Sequence, residues 1–202
     1  MRTNLRRGLL LGLAVVLTAC SEEERDAGQA AQAAPTEQSA SKQPKAPAAA
    51  EIEIALDGEG LRFVNAETGS ARLLAFGAER ATTEGAIAAQ RGEADERSSS
   101  QDCGAGLIEF THYGDFSANF QEDRFVGWFL RDGDKQAALA TMSGIGIGTT
   151  RSEMAKSVEF DIDENSTIGT EFHTGGFSGL FESQAPDARI TDLWAGTNCI
   201  FR

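Results

Sequence analysis

The chain is predicted to be α+β: an N-terminal hairpin followed by two tandem units, each a short helix packed on a three-stranded antiparallel meander. Three observations carry this reading. Ile52, Ile54 and Leu56 alternate with Glu53 and Ala55, the pattern of a half-buried strand. Two stretches, about 73–131 and 139–196, run through the same order of signals. Finally, a unit of some 60 residues buries only about 60% of its unfolded surface, so two such units gain by packing together.

The elements follow in order. Ile52, Ile54 and Leu56 share one face of a strand, Asp57-Gly58 turns the chain, and Leu61 to Val64 returns as a hairpin. A second turn at Asn65 to Gly69 leads into Arg72 to Phe76. Each unit then opens with an apolar strand that ends at glycine, Phe76-Gly77 and Ile147-Gly148. An arginine follows, Arg80 and Arg151, at the start of a helix-like stretch. Glycine-bearing strands come next, Gly104 to Phe110 and Gly169 to Thr174. The closest matches are Phe116-Ser117-Ala118-Asn119-Phe120 and Phe177-Ser178-Gly179-Leu180-Phe181. A final strand carries Trp128 in one unit and Trp194 in the other. In the strand 125–130, Phe125 and Phe129 point one way and Val126, Trp128 and Leu130 the other, so both faces need cover. Packing inside the molecule is the expected cover, and Phe125, Trp128 and Trp194 are the candidate partner surface should a face stay free.

The N-terminus has a different logic. Arg2, Arg6 and Arg7 precede an apolar run from Leu9 to Ala19, too short for a membrane span and shaped as a secretory signal. Leu17-Thr18-Ala19-Cys20 matches a bacterial lipobox, and the chain resembles a bacterial lipoprotein. The resemblance implies cleavage of 1–19, acylation of Cys20 (palmitate among the chains) and a membrane anchor. Ser21, rather than aspartate, after the cysteine implies the outer membrane, with the domain facing the periplasm. The run Ser21-Glu22-Glu23-Glu24 is similar to acidic surface-export signals and also suits the start of a solvated tether. Residues 20–50, rich in Ala, Gln, Ser and Pro, bury too little to offset their ordering entropy and read as a disordered tether. If coil-like, its reach is about 30 Å. Residues 51–202 form one domain on this reading.

Formal charge is −13, and removing 1–19 with its three arginines and no acid takes it to −16. That balance argues against nucleic acid and favours, at most, a cationic partner. With Cys20 acylated, Cys103 and Cys199 remain. Two thiols in an oxidising compartment pair most simply as a disulfide; a free thiol or a metal site is the alternative.

Chemistry-bearing motifs are sparse. Gly144 to Thr150 lacks the third glycine of a dinucleotide fingerprint and the lysine of a P-loop, whereas Thr150 and Glu153 are spaced as a capping box. Asp161, Asp163, Asn165 and Thr167 alternate like a calcium loop, but Ser166 and Phe172 stand where glycine and glutamate belong. His112 and His173 sit near the ends of corresponding strands, and no Gly-x-Ser-x-Gly elbow accompanies them. Neither a metal, a cofactor nor catalytic residues are expected.

The stretch Gly148-Thr149-Thr150-Arg151-Ser152-Glu153-Met154 and its weaker counterpart at 77–84 resemble two groups of small secreted domains. These are the outer-membrane assembly lipoproteins of the SmpA/OmlA type and the beta-lactamase-inhibitor protein. Whole-chain similarity is closer to a class of proteobacterial lipoproteins than to either. The resemblance implies a non-enzymatic binding or assembly module with a protein partner, or alternatively an inhibitor of a secreted or periplasmic hydrolase. Cys20→Ser is expected to abolish labelling by radioactive palmitate and to move the protein from the membrane to the soluble fraction. Retained label or membrane association would refute the anchor.

Overall fold

The structure is a computed structural model and describes residues 51–133 and 139–201. The expected signal segment 1–19, the lipidation site expected at Cys20 and the tether expected at 20–50 lie outside the described residues.

Twelve strands and two helices are described. The chain opens with β1 (Ile52–Asp57), β2 (Gly60–Asn65) and β3 (Ala71–Ala75), followed by α1 (Arg80–Arg91). β4 (Glu96–Ser100), β5 (Ile108–Tyr113), β6 (Phe116–Gln121) and β7 (Arg124–Arg131) come next. After β8 (Ala140–Thr141) and the single turn α2 (Arg151–Met154) follow β9 (Asp161–Ile162), β10 (Thr170–His173), β11 (Ser178–Phe181) and β12 (Ile190–Gly196). They form a four-stranded sheet, β3-β2-β1-β8, and an eight-stranded sheet, β4-β5-β6-β7-β12-β11-β10-β9.

This corrects the expectation of two tandem units, each a helix on three strands. Each meander has four strands, and the two are joined edge to edge by antiparallel pairing of β7 with β12, from Asp192↔Arg131 to Gly196↔Gly127. The strands expected to open the units are not in the meanders at all. β3 pairs with β2, and β8 runs parallel to β1, both in the smaller sheet. The physical reason is hydrogen bonding. The last strand of each meander would otherwise leave a row of backbone donors and acceptors without partners, and each strand supplies the other's.

The smaller sheet packs on one face of the larger and spans both halves. Leu56, Leu61 and Phe63 join Phe116, Ala118, Phe120, Phe125, Trp128, Leu130, Phe172 and Leu193 in one core. The buried Trp128 indole donates to the carbonyl of Asp57 at the end of β1 (2.9 Å). At the same hairpin tip, Gly58 meets the backbone of Gly176 in the β10–β11 connection. A Cβ on Gly58 would lie 2.6 Å from the Gly176 Cα, so no side chain fits there.

The turns suit these strands. Glu122 and Asp123 both take positive φ (49° and 56°) between the paired Gln121 and Arg124, as a two-residue hairpin loop requires. A register shift between Asn119 and Phe120 leaves Val126 as an extra residue in β7. The bulge changes the alternation of faces. Phe125 thus lies in the core with Trp128, and Phe129 points to the other face, contrary to the simple alternation expected for 125–130.

α1 lies against β1 and β7 and buries Thr83 and Ile87. Its outer edge is tied to the large sheet by charge. Arg80 pairs with Glu109 (2.5 Å) and Asp123 (3.0 Å) and lies over the Phe120 ring (4.4 Å). Arg97 of β4 and the Thr111 hydroxyl both donate to Glu84. Burial alone would raise the Glu84 pKa. The bonds from Arg97 and Thr111 and the charges of Arg97 and Arg80 outweigh it and hold the carboxyl below the usual range. α2 starts at a complete capping box in which the Thr150 hydroxyl accepts from the Glu153 N–H and the Glu153 carboxylate accepts from the Thr150 N–H.

Tyr113, the one tyrosine of the chain, sits under this network and is 2% exposed. Burial, reinforced by the Glu84 carboxylate and opposed by Arg97, pushes its phenol up to about 12. The unfolded value is about 10, so the native state holds the proton more tightly. This group's contribution to stability is complete below pH of about 10 and is lost as pH rises towards the native value. Ultraviolet titration of the phenolate should give a native midpoint near 12. In denaturant the midpoint should fall by about 2 units. Equal midpoints would refute the burial.

Candidate functional site on the open sheet face

α1, α2 and the smaller sheet engage one face of the eight-stranded sheet. The other face carries a row of residues linked by strand register: Glu96↔His112↔Ser117↔Phe129↔Trp194↔Ser178↔His173↔Asp161. At an interstrand spacing of about 4.8 Å the row is roughly 34 Å long. Its order is close to palindromic about the β7–β12 seam: acid, imidazole, hydroxyl, aromatic, then the same in reverse.

Phe129 and Trp194 stack at the seam, with centroids 6.0 Å apart and planes within 9°. Arg131 covers the Phe129 ring at 5.3 Å. The row's two imidazoles are each held by a serine. His112 Nε2 bonds Ser98 Oγ (2.9 Å), and His173 Nδ1 bonds Ser178 Oγ (2.8 Å).

Each end of the row is built differently. At the first, the disulfide Cys103–Cys199 fastens the C-terminal segment 197–201 over β6 and β7. Asn119 is buried beneath it and donates from Nδ2 to the Thr197 carbonyl (3.1 Å) and Asn198 Oδ1 (2.7 Å). A cavity of about 280 Å³ remains between this segment and the sheet, lined by Ser98, Phe110, His112, Ser117 and Arg131 among others. Phe201 (67% exposed) and Leu107 (50%) stand at its rim and near the disulfide loop.

At the other end Asp163, Glu171 and His173 converge, each offering one ligand atom, with all three atoms within 4.8 Å of one another. Glu171 and His173 alternate along β10 and so share a face. Asp163 is brought beside them by the β9–β10 turn, its N–H donating to the Glu171 carbonyl (2.9 Å). These three are the described residues best placed to hold a cation. The residue types also suit a nucleophile–base–acid set, but His173 Nε2 is 3.7 Å from Glu171 and 3.9 Å from Asp163, outside hydrogen-bond distance.

The structure places the sequence-predicted surface residues apart. Phe125 and Trp128 are fully buried in the core, out of reach of a partner, because the bulge and the smaller sheet enclose them. Trp194 lies on the opposite face, 6% exposed under Phe129. His112 and His173, assigned only to strand ends by the sequence, are brought onto one row. Sequence reasoning missed Phe129, Phe110 and the Asp163–Glu171–His173 cluster. The alternation Glu171-Phe172-His173 was the available signal for the last. Comparisons with protein-family models, curated proteins and solved structures find no match.

The disulfide closes a separation of 96 residues. Replacing both cysteines with serine is expected to cost about 4–5 kcal/mol on the chain-entropy scale. That corresponds to a fall in Tm of roughly 10–20 °C for a domain of this size. A calorimetric Tm unchanged by the double substitution would refute the strap's role.

Proposed function

We propose that the chain is a lipid-anchored, envelope-located, non-enzymatic binding module that engages a basic partner protein with the open face of its eight-stranded sheet. One observation carries the reading. A row of about 34 Å across all eight strands carries imidazole and hydroxyl groups and the half-buried Phe129 stacked on the buried Trp194, runs beside the C-terminal segment, and ends in the exposed Glu96 and Asp161. Aromatic anchors with a polar rim are how protein interfaces concentrate binding energy. The excess of acid on residues 51–202 favours a basic partner, chiefly through the rate of encounter. The lipobox at Cys20 and the tether supply the anchor and the distance from the membrane.

The test is capture of envelope proteins on immobilised full-length protein, with affinity measured for the captured species. Phe129→Ala should weaken binding by at least about tenfold, since interface aromatics are the usual hot spots. Raised salt should slow association. Met142→Ala, a substitution at a 57% exposed residue of the β8 turn, should leave binding unchanged. Circular dichroism verifies the fold of each variant. No retained basic protein, or equal affinity for Phe129→Ala, would overturn the reading.

A further inference from the structure

The geometry points to a mononuclear divalent-cation site of the zinc type at Asp163, Glu171 and His173. This goes beyond the binding role and does not depend on it.

The ligand atoms are one imidazole nitrogen and two carboxylate oxygens, a set that suits borderline divalent metals. His173 Nε2 lies 3.7 Å from Glu171 Oε1 and 3.9 Å from Asp163 Oδ2. Bonds of 2.0–2.1 Å to a tetrahedral ion would place ligand atoms about 3.3–3.4 Å apart. Closure by about 0.3–0.6 Å at the two imidazole contacts, among three ligand atoms already within 4.8 Å of one another, would bring His173 to bonding distance of a shared metal.

Each ligand is also oriented from behind. Ser178 Oγ bonds His173 Nδ1 (2.8 Å), leaving Nε2 directed at the cluster. Ser166 Oγ donates to Glu171 Oε2 (2.8 Å), leaving Oε1 towards the imidazole. The Asn165 N–H donates to Asp163 Oδ1 (2.9 Å), leaving Oδ2 inward. Such outer contacts hold metal ligands in productive orientations.

The site is closed on one side and open on the other. Glu171 has no solvent exposure, whereas the Asp163 and His173 side chains are 27% and 41% exposed. The exposed parts of Asp163 and His173 let a fourth ligand approach from solvent, and His173 also borders an open cavity of about 860 Å³. Three protein ligands including a nitrogen do not suit calcium, which takes six to eight oxygens.

Full-length protein freed of metal by a chelator should bind one equivalent of Zn²⁺ by calorimetry, with a rise in Tm, and should bind Ca²⁺ and Mg²⁺ more weakly. Co²⁺ should give the intense visible bands of a four-coordinate ion. His173→Ala and Glu171→Gln should each lower Zn²⁺ affinity at least about 100-fold, and Ser178→Ala about tenfold. His112→Ala, the other imidazole of the row, should have no effect. Should Glu171→Gln fail to fold, His173→Ala decides, its fold verified by circular dichroism. No Zn²⁺ binding at millimolar concentration, stronger binding of Ca²⁺, or binding unchanged by His173→Ala would overturn the assignment.

Discussion

The antiparallel pairing of β7 with β12 is the contact on which the rest of the structure depends. It converts two four-stranded meanders into one sheet and removes two edges that would otherwise need cover. It also sets Trp128 opposite Ala195 and Leu130 opposite Leu193, which continues one apolar face across the seam. The smaller sheet closes over that face, touching the first half through the Trp128–Asp57 bond and the second through Gly58 and Gly176. A core shared in this way belongs to neither half alone.

The same pairing creates the other face. Because the seam aligns Phe129 with Trp194, the hydroxyl and imidazole residues of the two meanders fall into one register line. The glycines are part of this arrangement. A Cβ on Gly179 would lie 2.3 Å from the Asp192 carbonyl oxygen and 2.6 Å from the Phe172 ring, and one on Gly127 would lie 2.3 Å from the Thr197 carbonyl oxygen. Their absence of side chains lets neighbouring backbone and the C-terminal segment sit close to the sheet. The disulfide then limits how far that segment can move from the cavity it covers.

Legibility in the sequence varied with the range of the interaction. The alternation of Ile52, Ile54 and Leu56 corresponds to β1, and the Thr150–Glu153 spacing to a capped turn, because both depend on neighbours a few residues away. β4 was not legible. Glu96 to Ser100 is polar throughout because it is an edge strand whose Arg97 pairs with the helix instead of entering the core. The two Phe-Ser motifs occupy β6 and β11, corresponding strands of the two meanders, yet they do not mark separate units. Similar strand sequences do not specify whether their sheets remain apart or merge. For Trp128 the sequence left packing and a partner surface both open for a related reason: a strand apolar on both faces states that it needs cover, not what covers it.

By itself the sequence determined the local elements: the alternating strand at the start of the domain, the capped turn before Met154, and two cysteines available to pair. It also carried the acidic balance and the segment that ends at Cys20, which are properties of composition and short-range pattern. Only the tertiary structure decided the seam between β7 and β12, the burial of Phe125 through a one-residue bulge, and the meeting of Asp163 with Glu171 and His173. Those outcomes depend on hydrogen bonds and close approaches between residues far apart in the chain. Short-range alternation is compatible with several such pairings, and the choice rests on which one leaves the fewest strand edges and apolar faces uncovered.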